Sequence, residues 1–270
     1  MIKLNKVSYT YNIGSPYEKK ALRNISLEFN EGEITSIIGH TGSGKSTLIQ
    51  IIAGLLQPTI GSATVFDVNI KDKKAFAEIR HNIGMVFQYP ENQIFEETIF
   101  DEIAFAPKNF GKTGIELNEA VFSAMDSLKI PASMKDEMPH HLSGGWKRKI
   151  AIASVLAFKP KLLILDEPTA GLDPVSRRDL IDLIKEISKN TSVIFISHYM
   201  SEIAELADRI IVMNKGKIHA DGKPKKTLTP DLEKIGLDIP DITKLMNKLG
   251  YKNIITYDEA IEAVFGGGTK

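Results

Sequence analysis

From Ile2 to Tyr11 apolar residues alternate with polar ones (Ile2, Leu4, then Val7, Tyr9, Tyr11), the period of a half-buried strand. Gly14-Ser15-Pro16 breaks the pattern, and Ala21 to Phe29 predicts a second strand, so a hairpin-like β layer is expected first. Glu33 to Ile38 predicts a buried strand and Thr47 to Ala53 a helix. Pro58-Thr59-Ile60-Gly61 then reads as a turn, with short strands expected at Ala63 to Phe66 and at Ile83 to Phe87, the second ending at Gln88. From Tyr89 to about Pro139 the pattern turns helical and loop-rich. Thr98 to Ala106 and Leu117 to Leu128 carry helical spacing, and Pro90, Pro107, Pro131 and Pro139 punctuate them. A further helix is expected from Leu142-Ser143-Gly144-Gly145 to about Phe158.

Two continuous apolar runs, Lys161 to Leu165 and Ser192 to Ile196, predict strands buried on both faces, with a helix between them from about Pro174 to Ser188. Strands at Arg209 to Met213 and Lys217 to Ala220 turn on Asn214-Lys215-Gly216. Past Pro224-Lys225-Lys226 the character changes. Ile242, Leu245, Met246 and Leu249 form an i, i+3, i+4, i+7 stripe, which fits a helix docked on its own domain as well as a subunit contact. Residues 257 to 265 predict another helix, and the Gly266-Gly267-Gly268 tail is expected to be mobile.

Chemistry enters at the carboxyl ends of the predicted strands. Gly39-His40-Thr41-Gly42-Ser43-Gly44-Lys45-Ser46-Thr47 follows one strand and opens a helix, the setting that a GxxxxGKS phosphate loop requires. Its glycines let backbone N–H groups wrap a polyphosphate, and the helix N-terminus adds partial positive charge. Lys45 can reach the β- and γ-phosphates, and the Ser46 hydroxyl can bind Mg²⁺. The run from Lys161 delivers two carboxylates, Asp166 and Glu167, at a buried strand end, which structure alone does not explain. Beside such a loop, the first acid is expected to hold Mg²⁺ and the second to deprotonate a water.

His198 ends the next strand on the same edge and could contact a γ-phosphate or its water. Other positions stay open on the residues alone. Gln88 is a strand-end amide where ligands sit in open α/β sheets, or a plain loop residue. Ser143-Gly144-Gly145 is a second anion site, or simply a capped helix start. Tyr9 and Tyr11 fit ordinary sheet packing better than stacking on a base.

Composition narrows the setting. The chain has 270 residues, 43% of them apolar, enough for one large domain with an appendage. Lys+Arg and Asp+Glu number 34 each, which argues against a general nucleic-acid surface. No cysteine is present, so disulfides and thiolate metal sites are excluded. The N-terminal residues carry no signal-peptide pattern, and the apolar run Ile150 to Phe158, flanked by Lys149 and Lys159, is too short to span a bilayer. A soluble, cytoplasmic chain is expected, linked to a membrane only through partners.

Taken together, these residues resemble the nucleotide-binding subunit of ATP-binding cassette (ABC) transporters over about residues 1 to 225. Gly39 to Thr47 matches the Walker A loop, Leu162 to Glu167 Walker B, and Leu142 to Gly145 the signature motif. Gln88 matches the Q-loop, Ala170 to Asp173 the D-loop and His198 the switch histidine. Tyr11 falls where the family places its adenine-stacking aromatic. A narrower resemblance, to the ATPases of energy-coupling factor (ECF) transporters, lies in Gln88-Tyr89-Pro90-Glu91-Asn92-Gln93-Ile94-Phe95-Glu96-Glu97-Thr98, in Asp101 to Gly111 and in Gly236-Leu237-Asp238-Ile239-Pro240. The Gly14 to Lys20 insertion and His40-Thr41 look like the second of that family's two paralogous ATPases.

The resemblance implies an α/β P-loop NTPase with a RecA-like core, an N-terminal antiparallel β layer, an inserted helical subdomain at about 89–158 and a short C-terminal helical extension. Its domains would be 1–230 for nucleotide binding and 231–270 for the extension. Its cofactors would be ATP and Mg²⁺. It implies ATP held by Tyr11 and by Gly39, His40, Thr41, Gly42, Ser43, Gly44, Lys45, Ser46 and Thr47, and capped by Ser143, Gly144 and Gly145 of another subunit. Ser46, Gln88 and Asp166 would surround Mg²⁺. Glu167 would be the general base, assisted by His198, Gln88 and Lys45.

The implied partners are a second ATPase subunit (a paralogue or a second copy), a transmembrane coupling protein near Gln88 to Gly111, and a membrane component that binds vitamins or metal ions. The implied location is the cytoplasmic face of the cell membrane, with no nucleic-acid partner. The ATPase of another ABC importer, or a soluble ABC protein acting on nucleic acid or ribosomes, is the alternative. One departure stands out: Trp146 follows Gly145 where the family usually has Gln.

Overall fold

The computed structural model describes residues 1–266, so the expectation for Gly267 and Gly268 lies outside the described residues. In chain order the elements are β1 (Ile2–Tyr11), β2 (Lys19–Phe29), β3 (Ile34–Ile38), α1 (Lys45–Ile52), β4 (Ile60–Val65), β5 (Val68–Asn69), α2 (Lys73–Ile79), β6 (Ile83–Val86), α3 (Ile99–Asn109) and α4 (Gly114–Ser127). There follow α5 (Gly144–Leu156), β7 (Leu162–Asp166), α6 (Pro174–Ser188), β8 (Ser192–Ile196), α7 (Met200–Leu206), β9 (Arg209–Asn214), β10 (Lys217–Gly222), α8 (Pro224–Thr227), α9 (Asp241–Lys248) and α10 (Tyr257–Phe265). The chain forms two compact units. One joins Met1–Lys71 to the chain from Phe195 onward, and the other is Asp72–Ile194.

The first unit opens with an antiparallel layer in the order β2-β1-β4-β5. Its register pairs Ile2 with Phe29 and Leu4 with Leu27, all four buried, so the alternation in β1 puts one face on the core. Ile60 and Gly61, expected in a turn, instead begin β4, where Ile60 pairs with Ser8. Long-range pairing overrides the local turn signal there, and the exposure of Ile60 marks an edge position. β3 is buried along its whole length and runs parallel to β9 (Ile37 opposite Ile211), which turns antiparallel into β10. α9 and α10 pack Ile242, Met246 and Ala260 together, while Leu245 and Leu249 face outward. The C-terminal stripe is thus divided: half of it docks on its own unit and half is exposed.

In the second unit, β8, β7 and β6 lie side by side in that order, and β6 and β7 are parallel. α6 shows why the sequence folds locally as it does. Asp173 accepts hydrogen bonds from the N–H groups of Val175 and Ser176, each at 3.0 Å, and Pro174 occupies the first helical position. Hydrogen bonds from Ser176 hold the Asp173 carboxyl below its ordinary range. Leu180, Ile181, Leu183, Ile184 and Ile187 then bury one face of the helix. α3, α4 and α5 form the helical subdomain between β6 and β7. Three helices carried no signal in the pattern: α2, with Phe76 its buried residue, the seven-residue α7 and the four-residue α8.

Candidate functional site

In the first unit, β3 ends at the loop Gly39–Gly44 and α1 begins at Lys45. Two glycines have steric reasons. A Cβ on Gly39 would come within 2.5 Å of the Met213 carbonyl oxygen. Gly44, at φ +108°, would place one 2.8 Å from the Ala21 oxygen. At these two positions the loop is therefore packed against β2 and β9, which leaves no room there for a side chain. Lys45 is buried, and its Nζ donates to the Gly39 oxygen at 2.6 Å and to the His40 oxygen at 3.3 Å.

His40 sits between the Thr41 oxygen (Nδ1, 2.8 Å) and Asn214 (Nε2 to Oδ1, 3.0 Å), which ties the loop to the β9 end. Ser46 is exposed, Thr47 buried and Ser43 Oγ buried without a partner. Tyr11 reaches the same place. Its hydroxyl lies 3.1 Å from Thr47 Oγ1, and its ring meets Tyr9 edge-on at 4.7 Å. Both of the packing and site readings for Tyr11 thus have a contact behind them. His198 is exposed just before α7. Ser197 Oγ donates to Glu202 at 2.7 Å and accepts from the Tyr199 N–H at 3.0 Å, so both neighbours of His198 are held.

In the second unit, β7 carries Asp166 as its last residue, with Glu167 next at φ +52°. A non-glycine residue there is strained, and persists where its surroundings over-determine it. Gln88 Nε2 donates to Glu167 Oε2 at 2.9 Å, so the structure joins two positions that the sequence offered separately. Ser143 precedes α5 as its N-cap, but its side chain makes no capping hydrogen bond, which counts against the simple-cap reading. Trp146 is half-buried and Lys149 Nζ lies 5.0 Å from its ring centre. Beside them opens a cavity of about 150 Å³ lined by Ser143, Gly145, Trp146, Lys149, Leu172 and Ser176.

Arg148 went unnoticed in the sequence, and Glu91 appeared there without a role, only as part of the run from Gln88 to Thr98. Arg148 on α5 is 2% exposed, and its guanidinium holds the carbonyl oxygens of Pro168 (2.6 Å) and Ala170 (2.8 Å) and both oxygens of Glu91 (2.8 and 2.7 Å). The available signal was a charge inside the buried run of α5, whose next inward residues are Ile150 to Ala153.

A glycine-lined loop between a parallel strand and a helix, with a buried lysine, defines a P-loop protein of the class that binds nucleoside triphosphates. The ABC transporter family model matches residues 22–170. The chain is 46% identical to the energy-coupling factor transporter ATP-binding protein EcfA2 of Caldanaerobacter subterraneus subsp. tengcongensis, over 97% of this chain and 96% of the relative. The same-named protein of Clostridium perfringens is also 46% identical, with the same coverage, 97% and 96%.

Among solved structures, cbiO1 from Clostridium perfringens, described as part of the ABC transporter complex cbiONQ, superposes with a TM-score of 0.78 at 34% identity, covering 91% of this chain and 98% of that one. A dimeric ATP-binding cassette in a post-hydrolysis state with ADP and Pi gives 0.73 at 30% identity, covering 83% and 99%. The chain belongs to the ABC transporter ATP-binding proteins, in the energy-coupling factor group of ATPases. The α/β P-loop fold and the ATP-hydrolysing class read from the motifs are borne out. Among the described residues no helix is long and apolar enough to cross a membrane.

Proposed function

We propose that this chain powers an energy-coupling factor importer as one of two ATPase subunits that close head to tail on ATP. The observation that carries this reading is the presence, in one chain, of a P-loop at Gly39–Thr47 and a signature start at Ser143-Gly144-Gly145 whose serine is not spent on capping. Each subunit then offers a phosphate cradle and a lid for the other subunit's nucleotide. Residues 1–230 serve as the nucleotide-binding domain, with the helical subdomain at about 89–158, and 231–270 as an extension.

Each residue has a role in this reading. Lys45 and the loop N–H groups bind the β- and γ-phosphates, and Tyr11 supports adenine. Glu167 takes the proton of the attacking water, Gln88 orients Glu167, and His198 steadies the γ-phosphate. Mg²⁺, when bound, screens phosphate charge, with Ser46, Gln88 and Asp166 as its protein oxygens.

The partners are a second ATPase (paralogue or second copy), a transmembrane coupling protein and a membrane component that binds a vitamin or metal ion. The balance of 34 basic and 34 acidic residues favours these over nucleic acid. The location is the cytoplasmic face of the membrane. The test is to purify the tagged chain from detergent-solubilised membranes and identify what accompanies it. A transmembrane protein and a small membrane substrate-binder are expected; recovery with ribosomes or DNA would overturn the reading.

Trp146 gives a second check. It is the sole tryptophan and lies beside the signature start, so its fluorescence should change when ATP closes the dimer. A flat signal under conditions where crosslinking shows closure would remove Trp146 from that interface.

A further inference from the structure

The strained backbone at Glu167 needs something to hold it, and the structure offers one group that does so from a distance. Arg148 sits on α5 and grips the carbonyls of Pro168 and Ala170, the first and third residues after Glu167. The Ala170 N–H in turn bonds the Glu167 oxygen at 3.2 Å, so this short turn is fastened at both ends. The other arm of the guanidinium is locked to both oxygens of Glu91. Glu91 lies three residues after Gln88, in a turn closed by Asn92 N–H to the Tyr89 oxygen at 3.0 Å, with Tyr89 itself at φ +56°. Gln88, at the head of the same segment, donates to the Glu167 carboxylate. Segment 88–91 therefore touches Glu167 twice: directly through Gln88, and through Glu91, Arg148 and the turn that follows Glu167.

We propose that Arg148 is a positioning residue for hydrolysis, transmitting the state of the Gln88–Glu91 segment to the Glu167 carboxylate through its link to Glu91. A planar fork suits this task where a lysine would not. It satisfies two backbone carbonyls and one carboxylate at once, in directions fixed by the plane of the guanidinium. Burial makes the linkage stiff, since a charge taken out of water cannot swap partners freely. When the segment moves, both contacts to Glu167 change together. The base is then set for proton abstraction in one arrangement of the segment and displaced in the other.

The proposal rests on Glu167 being the general base. Its test uses the full chain in its membrane complex, with Glu91→Gln, Arg148→Lys and the double variant, and with Glu167→Gln as control. Glu91→Gln keeps size and one accepting oxygen, and removes the charge. Each single variant should lower kcat roughly tenfold with KM for ATP within about twofold. The double variant should cost little more than the worse single one, because both break one linkage.

Independently of activity, amide hydrogen exchange at 166–172 should speed up in Glu91→Gln, although Glu91 lies on a separate segment joined to that turn through Arg148. Unchanged kcat in both single variants, additive losses, or unchanged exchange at 166–172 would each overturn the proposal. If Glu167→Gln leaves turnover intact, the assignment of the base has failed instead, and the exchange result still decides whether Arg148 transmits.

Discussion

Glu167→Gln lowers steady-state ATP turnover by roughly 10²–10⁴-fold, the range expected when a positioned general base is lost, while ATP affinity is kept. The size follows from what the substitution leaves in place. The side chain keeps its length and its planar end, so the turn after β7 and the φ of +52° are undisturbed. The Gln88 amide at 2.9 Å can still donate to the remaining oxygen. What disappears is the basic lone pair. Because neither the loop at Gly39–Thr47 nor Lys45 is altered, nucleotide binding should persist, and trapped ATP should hold the subunits closed for longer. Phosphate release gives the rate and a fluorescent-nucleotide titration the affinity. Turnover within a factor of about three of the parent, far less than a lost base costs, would take Glu167 out of its role. A parallel loss of binding would mean that the residue supports the fold instead.

How much of this was visible in the chain depends on how local the cause is. α6 and β8 stand where the pattern puts them, because Asp173, Pro174 and a one-faced apolar stripe are all within one segment. β4 was shortened by its own turn-like residues, and only pairing of Ile60 with Ser8, far away in sequence, restores it. α2 buries mainly Phe76 and so gives no stripe to read. Within the candidate site, the cradle was legible because its residues are contiguous. The contact between Gln88 and Glu167 spans 79 positions and that between Glu91 and Arg148 spans 57. No window on the sequence contains both partners, so motif order could name the ends of the first contact and gave no hint of the second. Tyr11 illustrates the intermediate case. Spacing favoured packing, the family resemblance favoured adenine, and the structure supplies a ring contact to Tyr9 together with a hydroxyl contact to Thr47.

Lys45→Ala should weaken ATP binding by roughly 10²–10⁴-fold, because two charge-assisted hydrogen bonds to phosphate at about 1.5–3 kcal/mol each disappear together. Lys45 is buried against the loop, and its Nζ is committed to the Gly39 and His40 oxygens, one of them at 2.6 Å. Its ammonium is therefore already confined to the mouth of the loop, so little side-chain freedom is lost on meeting phosphate. The glycines that shape the loop are untouched by the substitution, and so are its tethers, His40 to Asn214 and the Gly216 N–H to the Ser43 oxygen at 2.9 Å. The remaining N–H groups and the helix N-terminus should then sustain weak residual binding.

ADP serves as the internal control. It lacks the γ-phosphate, so its affinity should fall by less than that of ATP. Calorimetric titration of both nucleotides separates the two, alongside a thermal melt without nucleotide. An equal loss for both nucleotides would place Lys45 on the β-phosphate alone. Unchanged ATP affinity with an intact melt would mean that the loop binds through its backbone, and that the lysine acts only on the reacting phosphoryl group.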